Sequence, residues 1–276
     1  MNFLIGNIQI GSDTPLFLMA GPCVIESKAS CIYIAKRLLD ISQKTNVPII
    51  FKASFDKANR SSYHSFRGTG LEKGLEILAA VRQETTLPIM TDVHESAQAG
   101  PVGRIVDCLQ IPAFLCRQTD LLCACARTCK PINVKKGQFL SPGEMKNVVD
   151  KIRGCGNEQI MLTERGTFFG YNRLVNDMTA IESMKKLDCP VIFDATHSTQ
   201  QPGGLGIASA GRREMAPILA RAAIAAGADG LFVEVHPEPE KAQSDAACIM
   251  PIEWLEGLLT VCKKIFTVIR GDHRDG

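Results

Sequence analysis

Pro48-Ile49-Ile50-Phe51-Lys52 sets a short, uninterrupted apolar run against a closing charge. Such a run lacks the alternation of a half-solvated strand and reads as a strand buried on both faces, the form parallel sheets take. The pattern recurs at Leu16–Ala20, Pro88–Asp92, Cys108–Ile111, Ile132–Lys135, Ile160–Thr163, Val191–Asp194 and Leu231–Glu234. Between the runs, apolar residues return at helical spacing over Lys28–Thr45, Leu71–Glu84, Ser96–Ile105, Thr119–Cys129, Pro142–Arg153, Met178–Lys186, Arg212–Ala226 and Ile252–Thr267. Eight strand–helix units in 276 residues predict an α/β fold, a (β/α)8 TIM barrel in one domain spanning residues 1–276. Ahead of the first unit, residues 3–10 alternate around Gly6-Asn7 and predict a short N-terminal β-hairpin within residues 1–12, capping the bottom of the barrel.

Composition narrows the function. The 31 basic and 29 acidic side chains leave a net charge of +2, which offers no global field for nucleic acid or an anionic membrane. The longest apolar region, 216–233, is broken by Arg221, Gly227, Asp229 and Gly230, so no membrane-spanning helix of about 20 residues is expected. The N-terminus has neither a basic segment nor a sustained apolar one, which predicts no secretory signal and a cytoplasmic protein. The 11 cysteines are accordingly expected to be reduced, with Cys108, Cys125, Cys189 and Cys262 acting as small core residues. Cys123, Cys125 and Cys129 have no neighbouring His and read as packing residues rather than a metal cluster.

Barrel enzymes carry their chemistry at the C-terminal ends of the strands. In chain order those ends offer Cys23, Lys52, Asp92, Gln110, Lys135 with Lys136, Arg165, His197 and Glu234. Lys52, Lys57, Arg60, Lys135, Lys136 and Arg165 gather cations at one mouth of a nearly neutral chain, which implies a phosphate- or carboxylate-bearing ligand. The loop Lys52 to Ser62 adds hydroxyl and amide donors, and no glycine-rich nucleotide fingerprint follows any strand. Gly203-Gly204-Leu205-Gly206 predicts a loop that closes over substrate. Strands one, seven and eight become neighbours on closure and bring Cys23, His197 and Glu234 together, with Asp245 on the next loop. That mixed donor set suits one divalent transition ion, Fe2+, Zn2+ or Mn2+. His64, His94, His236 and His273 read as structural.

Five segments also carry a resemblance: Ala20-Gly21-Pro22-Cys23, Lys52 to Ser62, Gln110 to Asp120, Asn133-Val134-Lys135-Lys136-Gly137 and Asp194-Ala195-Thr196-His197-Ser198. In order and in content they resemble the 3-deoxy-D-manno-octulosonate 8-phosphate synthases, a likeness that runs from the first strand to about Trp254. The resemblance implies a homotetrameric barrel enzyme that condenses phosphoenolpyruvate with D-arabinose 5-phosphate and water, releasing phosphate on the route to lipopolysaccharide. It implies Lys52, Ser54 and Lys57 at the phosphoenolpyruvate carboxylate, and Lys135, Arg165 and Gln110 at its phosphate. It further implies Asn59, Arg60 and Ser61 at the sugar phosphate and Asp92 at the sugar hydroxyls. Cys23, His197, Glu234 and Asp245 match the ligands of the metal-dependent branch, whose counterpart has Asn at the Cys23 position. His197, Asp245 and Lys57 are the expected catalytic residues.

The principal alternative is a 3-deoxy-D-arabino-heptulosonate 7-phosphate synthase using erythrose 4-phosphate. Asn59-Arg60-Ser61-Ser62 argues against it, since that family carries a Pro-Arg-Thr type run here. A metal-dependent hydrolase would show several His at strand ends, where this chain has His197. A non-catalytic phosphosugar-binding barrel would not retain four metal-ligand types.

Overall fold

Each of the eight apolar runs is a parallel strand: β1 (Phe17–Gly21), β2 (Ile49–Lys52), β3 (Ile89–Asp92), β4 (Cys108–Ile111), β5 (Ile132–Lys135), β6 (Ile160–Glu164), β7 (Val191–Asp194) and β8 (Gly230–His236). Every strand pairs with its chain neighbour, and β8 pairs with β1 through Gly230↔Phe17 to Glu234↔Gly21, so the sheet closes. The computed structural model describes residues 2–60, 62–169, 171–202 and 210–272. The helices follow their strands in turn: α1 (Lys28–Thr45), α2 (Leu71–Thr85), α3 (Ser96–Ile105), α4 (Thr119–Ala126), α5 (Met145–Gly154), α6 (Thr179–Lys185), α7 (Ala216–Ala225) and α8 (Leu255–Asp272).

Strand parity sorts the side chains. Leu18, Ile49, Phe51, Ile89, Leu109, Val134, Leu162, Phe193 and Val233 point outward and share one large core with the buried stripes of the helices. Phe17, Met19, Ile50, Met90, Cys108, Met161, Ile192 and Phe232 fill the lower interior, in one apolar cluster with Ile5, Ile8 and Ile10. Those three isoleucines come from the antiparallel hairpin Phe3–Ile5/Ile8–Ile10. A Cβ at Gly230 would lie 2.7 Å from the Phe17 ring, so only glycine leaves room for that phenyl group inside the barrel.

Several local expectations need correction. Helix α4 stops at Ala126 instead of Cys129, because the chain turns and Cys129 takes a positive φ of 57° and an exposed position. The segments before α5, α7 and α8 open as single 3-10 turns at Pro142–Glu144, Arg213–Met215 and Ile252–Trp254. Cys123 and Cys155 are joined as a disulfide instead of remaining reduced. Helices α4 and α5 are adjacent in the wall and bring their Cα atoms to 5.5 Å, within bonding range of a cystine. Cys108, Cys125, Cys189 and Cys262 are buried free thiols. No described helix is long and apolar enough to cross a membrane.

Candidate active site

The inward parity that puts Ile50, Met90 and Ile192 in the apolar floor continues upward to Lys52, Asp92 and Asp194. The upper interior is therefore polar and buried: Lys52, Asp92, Gln110, Asn133, Lys135, Thr163, Asp194 and Glu234 all lie below the protein surface. The ring of Phe232 separates the two layers, with Lys135 Nζ 3.5 Å and Lys52 Nζ 5.5 Å from its centroid.

Buried polar groups must be paired, and this layer is a continuous network. Thr163 Oγ1 donates to Asn133 Oδ1 at 2.6 Å, Asn133 Nδ2 to Gln110 Oε1 at 3.2 Å, and Gln110 Nε2 to Asp92 Oδ1 at 2.8 Å. Asp92 also accepts Ser54 Oγ at 2.7 Å and pairs with Lys52 Nζ at 3.2 Å. Lys52 Nζ in turn donates to Ser54 Oγ at 2.8 Å and lies 3.5 Å from Glu234 Oε1, which Lys57 Nζ approaches to 3.8 Å. On the other side, Asp194 holds Lys135 Nζ and, at 2.7 Å, His197 Nδ1.

The electrostatics follow from burial set against these pairs. Burial raises Asp92, but Lys52 and Lys57 outweigh it and hold the carboxyl well below its ordinary range. Burial likewise raises Asp194, and His197 with Lys135 more than reverses it. Glu234 is brought down to about 2 against its own burial by His197, Lys57 and Lys52. For Lys135 burial prevails over Asp194 and lowers the ammonium, and burial also lowers Arg165. Lys57 moves upward despite burial, because Cys23, Glu234 and Asp92 surround it.

Above this layer opens a cavity of about 810 Å3, whose wall includes Lys52, Lys57, Asn59, Arg60, Asp92, Gln110, Lys135, Arg165, His197 and Asp245. Arg60 is anchored by the carbonyls of Phe66 and Gln243, both at 3.0 Å. Arg165 Nη2 donates to Gln200 Oε1 at 2.7 Å, while its buried Nη1 has no partner among the described residues. Ser54 lies just behind the wall, holding Lys52 and Asp92. Lys136 is turned away from the cavity, into contacts with Leu140, Thr167 and Glu164, so it leaves the group of mouth cations. Ser61 and the loop 203–209 lie outside the described residues.

Cys23 Sγ, a Glu234 oxygen and an Asp245 oxygen come within 4.8 Å of one another. His197 Nε2 lies 3.5 Å from Glu234 Oε2 and 3.7 Å from Asp245 Oδ2, and its Nδ1 is fixed on Asp194. Burial first, then Glu234, pushes the Cys23 thiol well above its ordinary pKa. A divalent cation at the centre of this set would reverse that balance and hold the thiolate, so the donors fit a transition ion. The Asp194 contact on the far ring nitrogen is the usual support of a ligating imidazole.

Sequence reasoning missed Asp194 as a partner of the predicted site residues, along with Asn133, Thr163 and Ser244. Parity offered the missing signal for the first three, since each sits two residues along its strand from another inward position. Ser244 accepts the Cys23 thiol at 2.9 Å, a contact across 221 residues that no local pattern encodes. His94 was read as structural, yet it lines the cavity and its Nε2 has no partner among the described residues.

A profile described as the DAHP synthetase I family matches residues 2–270. A protein of Cupriavidus taiwanensis named 2-dehydro-3-deoxyphosphooctonate aldolase is 52% identical over 268 residues, 95% of this chain and 93% of its own length. Proteins of the same name from Rickettsia canadensis and Syntrophotalea carbinolica are 52% and 49% identical, covering 94% and 97% of this chain and the same shares of their own. The chain belongs to the DAHP synthetase I family, alongside relatives named 2-dehydro-3-deoxyphosphooctonate aldolase.

Proposed function

We propose that this chain condenses phosphoenolpyruvate with D-arabinose 5-phosphate and water, forming 3-deoxy-D-manno-octulosonate 8-phosphate and phosphate for lipopolysaccharide synthesis. The observation that carries the reading is one cavity walled by Lys52, Lys57, Lys135 and Arg165, with Arg165 Nη1 unpartnered among the described residues. Buried cations at the end of a barrel suit an anion with both a carboxylate and a phosphate, and Arg60 at the rim suits a second phosphate. The relatives' name supplies the product class.

In this reading Lys52 and Lys57, with Ser54 behind them, hold the enol carboxylate. Lys135 and Arg165 hold its phosphate, with Gln110 fixed beside them. Asn59 and Arg60 at the rim hold the sugar phosphate, Ser61 is a further ligand to it, and Asp92 faces the sugar hydroxyls. Two remote phosphates held at once place C3 of the enol against the aldehyde and convert a bimolecular encounter into an oriented one. C3 attacks the aldehyde carbon, water adds at C2, and the C2–O bond to phosphate breaks. Asp245 or His197 helps move the protons, and no Schiff base to a lysine is involved. One divalent ion, Fe2+, Zn2+ or Mn2+, on Cys23, His197, Glu234 and Asp245 would polarise the aldehyde or acidify the water.

The hairpin plugs the barrel bottom within a single domain, and the chain works as a cytoplasmic homotetramer. Phosphate release is the test, with phosphoenolpyruvate, Mn2+ and either arabinose 5-phosphate or erythrose 4-phosphate. Release with the five-carbon sugar alone is expected. Preference for the four-carbon sugar overturns the sugar assignment, and a monomer mass in light scattering overturns the tetramer.

A further inference from the structure

Lys136 neighbours Lys135 in sequence and faces the opposite way in space. It is 1% exposed, and its Nζ donates to Leu140 O at 3.1 Å, Thr167 Oγ1 at 3.2 Å and Gly137 O at 3.4 Å. The same ammonium lies 3.6 Å from Oε2 of Glu164, itself 1% exposed. A lysine and a glutamate this deeply buried cost desolvation, so their presence asks for a role beyond packing.

Their partners supply one. Glu164 Oε1 accepts the backbone N–H of Arg165 at 3.0 Å and of Gly166 at 2.6 Å, so one carboxylate caps the turn that leaves β6. Gly166 takes φ +89° in that turn, a conformation that strains other residues. The ammonium grips the loop after β5 at Leu140 and the short strand Thr167–Phe168 after the turn, at Thr167. A further backbone bond, Phe168 N to Gln138 O at 3.1 Å, ties the same two segments. Arg165 stands in the middle of this braced turn and lines the cavity, with Nη2 on Gln200 and a buried Nη1 that has no partner among the described residues.

We propose that Lys136 and Glu164 are positioning residues: a buried ion-pair strut that fixes the Arg165 turn and so sets the affinity of the site for the phosphate of the enol substrate. The proposal rests on the phosphoenolpyruvate reading above. Lys136 touches no substrate and acts through Arg165.

The test is equilibrium binding of phosphoenolpyruvate by calorimetry, paired with steady-state phosphate release, on the full chain. Lys136→Met is expected to weaken phosphoenolpyruvate binding and raise its KM by about tenfold, with the KM for arabinose 5-phosphate changed less than twofold. In an Arg165→Met background the same substitution is expected to change the phosphoenolpyruvate Kd by less than twofold, because the group it positions is gone. Lys136→Met/Glu164→Gln removes both charges together and serves where the single variant does not fold, with the same pair of expected results. A folded Lys136 variant with unchanged phosphoenolpyruvate affinity overturns the strut, as does an equal loss with and without Arg165. Wild-type protein that binds phosphoenolpyruvate but releases no phosphate with either sugar overturns the reaction while the Kd comparison still decides the strut. Wild-type protein that does not bind phosphoenolpyruvate overturns both.

Discussion

Asp194→Asn isolates the charge that compensates Lys135. Asp194 is completely buried and serves Lys135 Nζ, His197 Nδ1 at 2.7 Å and His197 N at 2.9 Å with one carboxylate. Asparagine keeps the volume and removes the charge, leaving a buried ammonium beside the Phe232 ring with the more distant Glu234 as its remaining counter-charge. Breaking one half of a buried pair costs about 3–5 kcal/mol. With 276 residues and about 2.1 cal/mol/K per residue, the unfolding entropy is roughly 0.6 kcal/mol/K, so Tm should fall by about 5–9 °C. The alternative for the ammonium is to shed its proton, and burial already lowers its pKa in the native protein. A lysine with a lowered pKa regains its charge as pH falls, so the rise in phosphoenolpyruvate KM in the variant should shrink toward acid. Lys135→Met/Asp194→Asn removes both charges and should recover much of the lost Tm, though not the activity. Scanning calorimetry with KM measured across pH 6 to 9 checks both halves. A Tm within 1 °C of wild type together with an unchanged KM would refute the account of Lys135 as a cation held by Asp194.

Asp92 and Asp194 have folded pKa values below their ordinary 3.8, so the stability they contribute is present above about pH 4 and lost as pH falls toward their native values. Urea unfolding should show that fall below pH 4 in wild type and a shallower one in Asp92→Asn; equal slopes would contradict it. Ile10→Ala empties part of the hairpin's contribution to the lower interior and should cost about 2–5 kcal/mol with phosphate release at 25 °C retained, read as Tm and rate side by side. Reduction of Cys123–Cys155 opens a loop spanning 32 residues and should cost about 3–4 kcal/mol. Alkylation of unfolded, unreduced protein should leave two of the 11 cysteines unmodified, and modification of all of them would count against the bond.

The barrel was legible because each of its strands is buried on both faces and therefore written as a short apolar run, while each helix shows one apolar stripe. Strand ends were legible for the same reason: a charge after such a run, as at Lys52, Asp92 and Lys135, marks where the interior turns polar. Local turns were less so. The 3-10 openings before α5, α7 and α8, the early stop of α4 and the short ladder Gln200–Gln201/Ala210–Gly211 depend on how a few residues meet their neighbours.

What the sequence determined alone was the alternation of elements, their number, and the residue types available at one mouth, because periodicity and burial are local properties of the chain. What the tertiary structure decided was which of those groups meet. Lys135 and Lys136 are adjacent and chemically alike, yet the pleat sends one to Asp194 and the cavity and the other to Glu164 and the wall. Cys23, Ser244 and Asp245 meet because β8 closes on β1, and Cys123 meets Cys155 because consecutive helices lie side by side. Pairing across such separations is set by the closure and shear of the sheet, and strand register is a property of two segments together that neither carries alone.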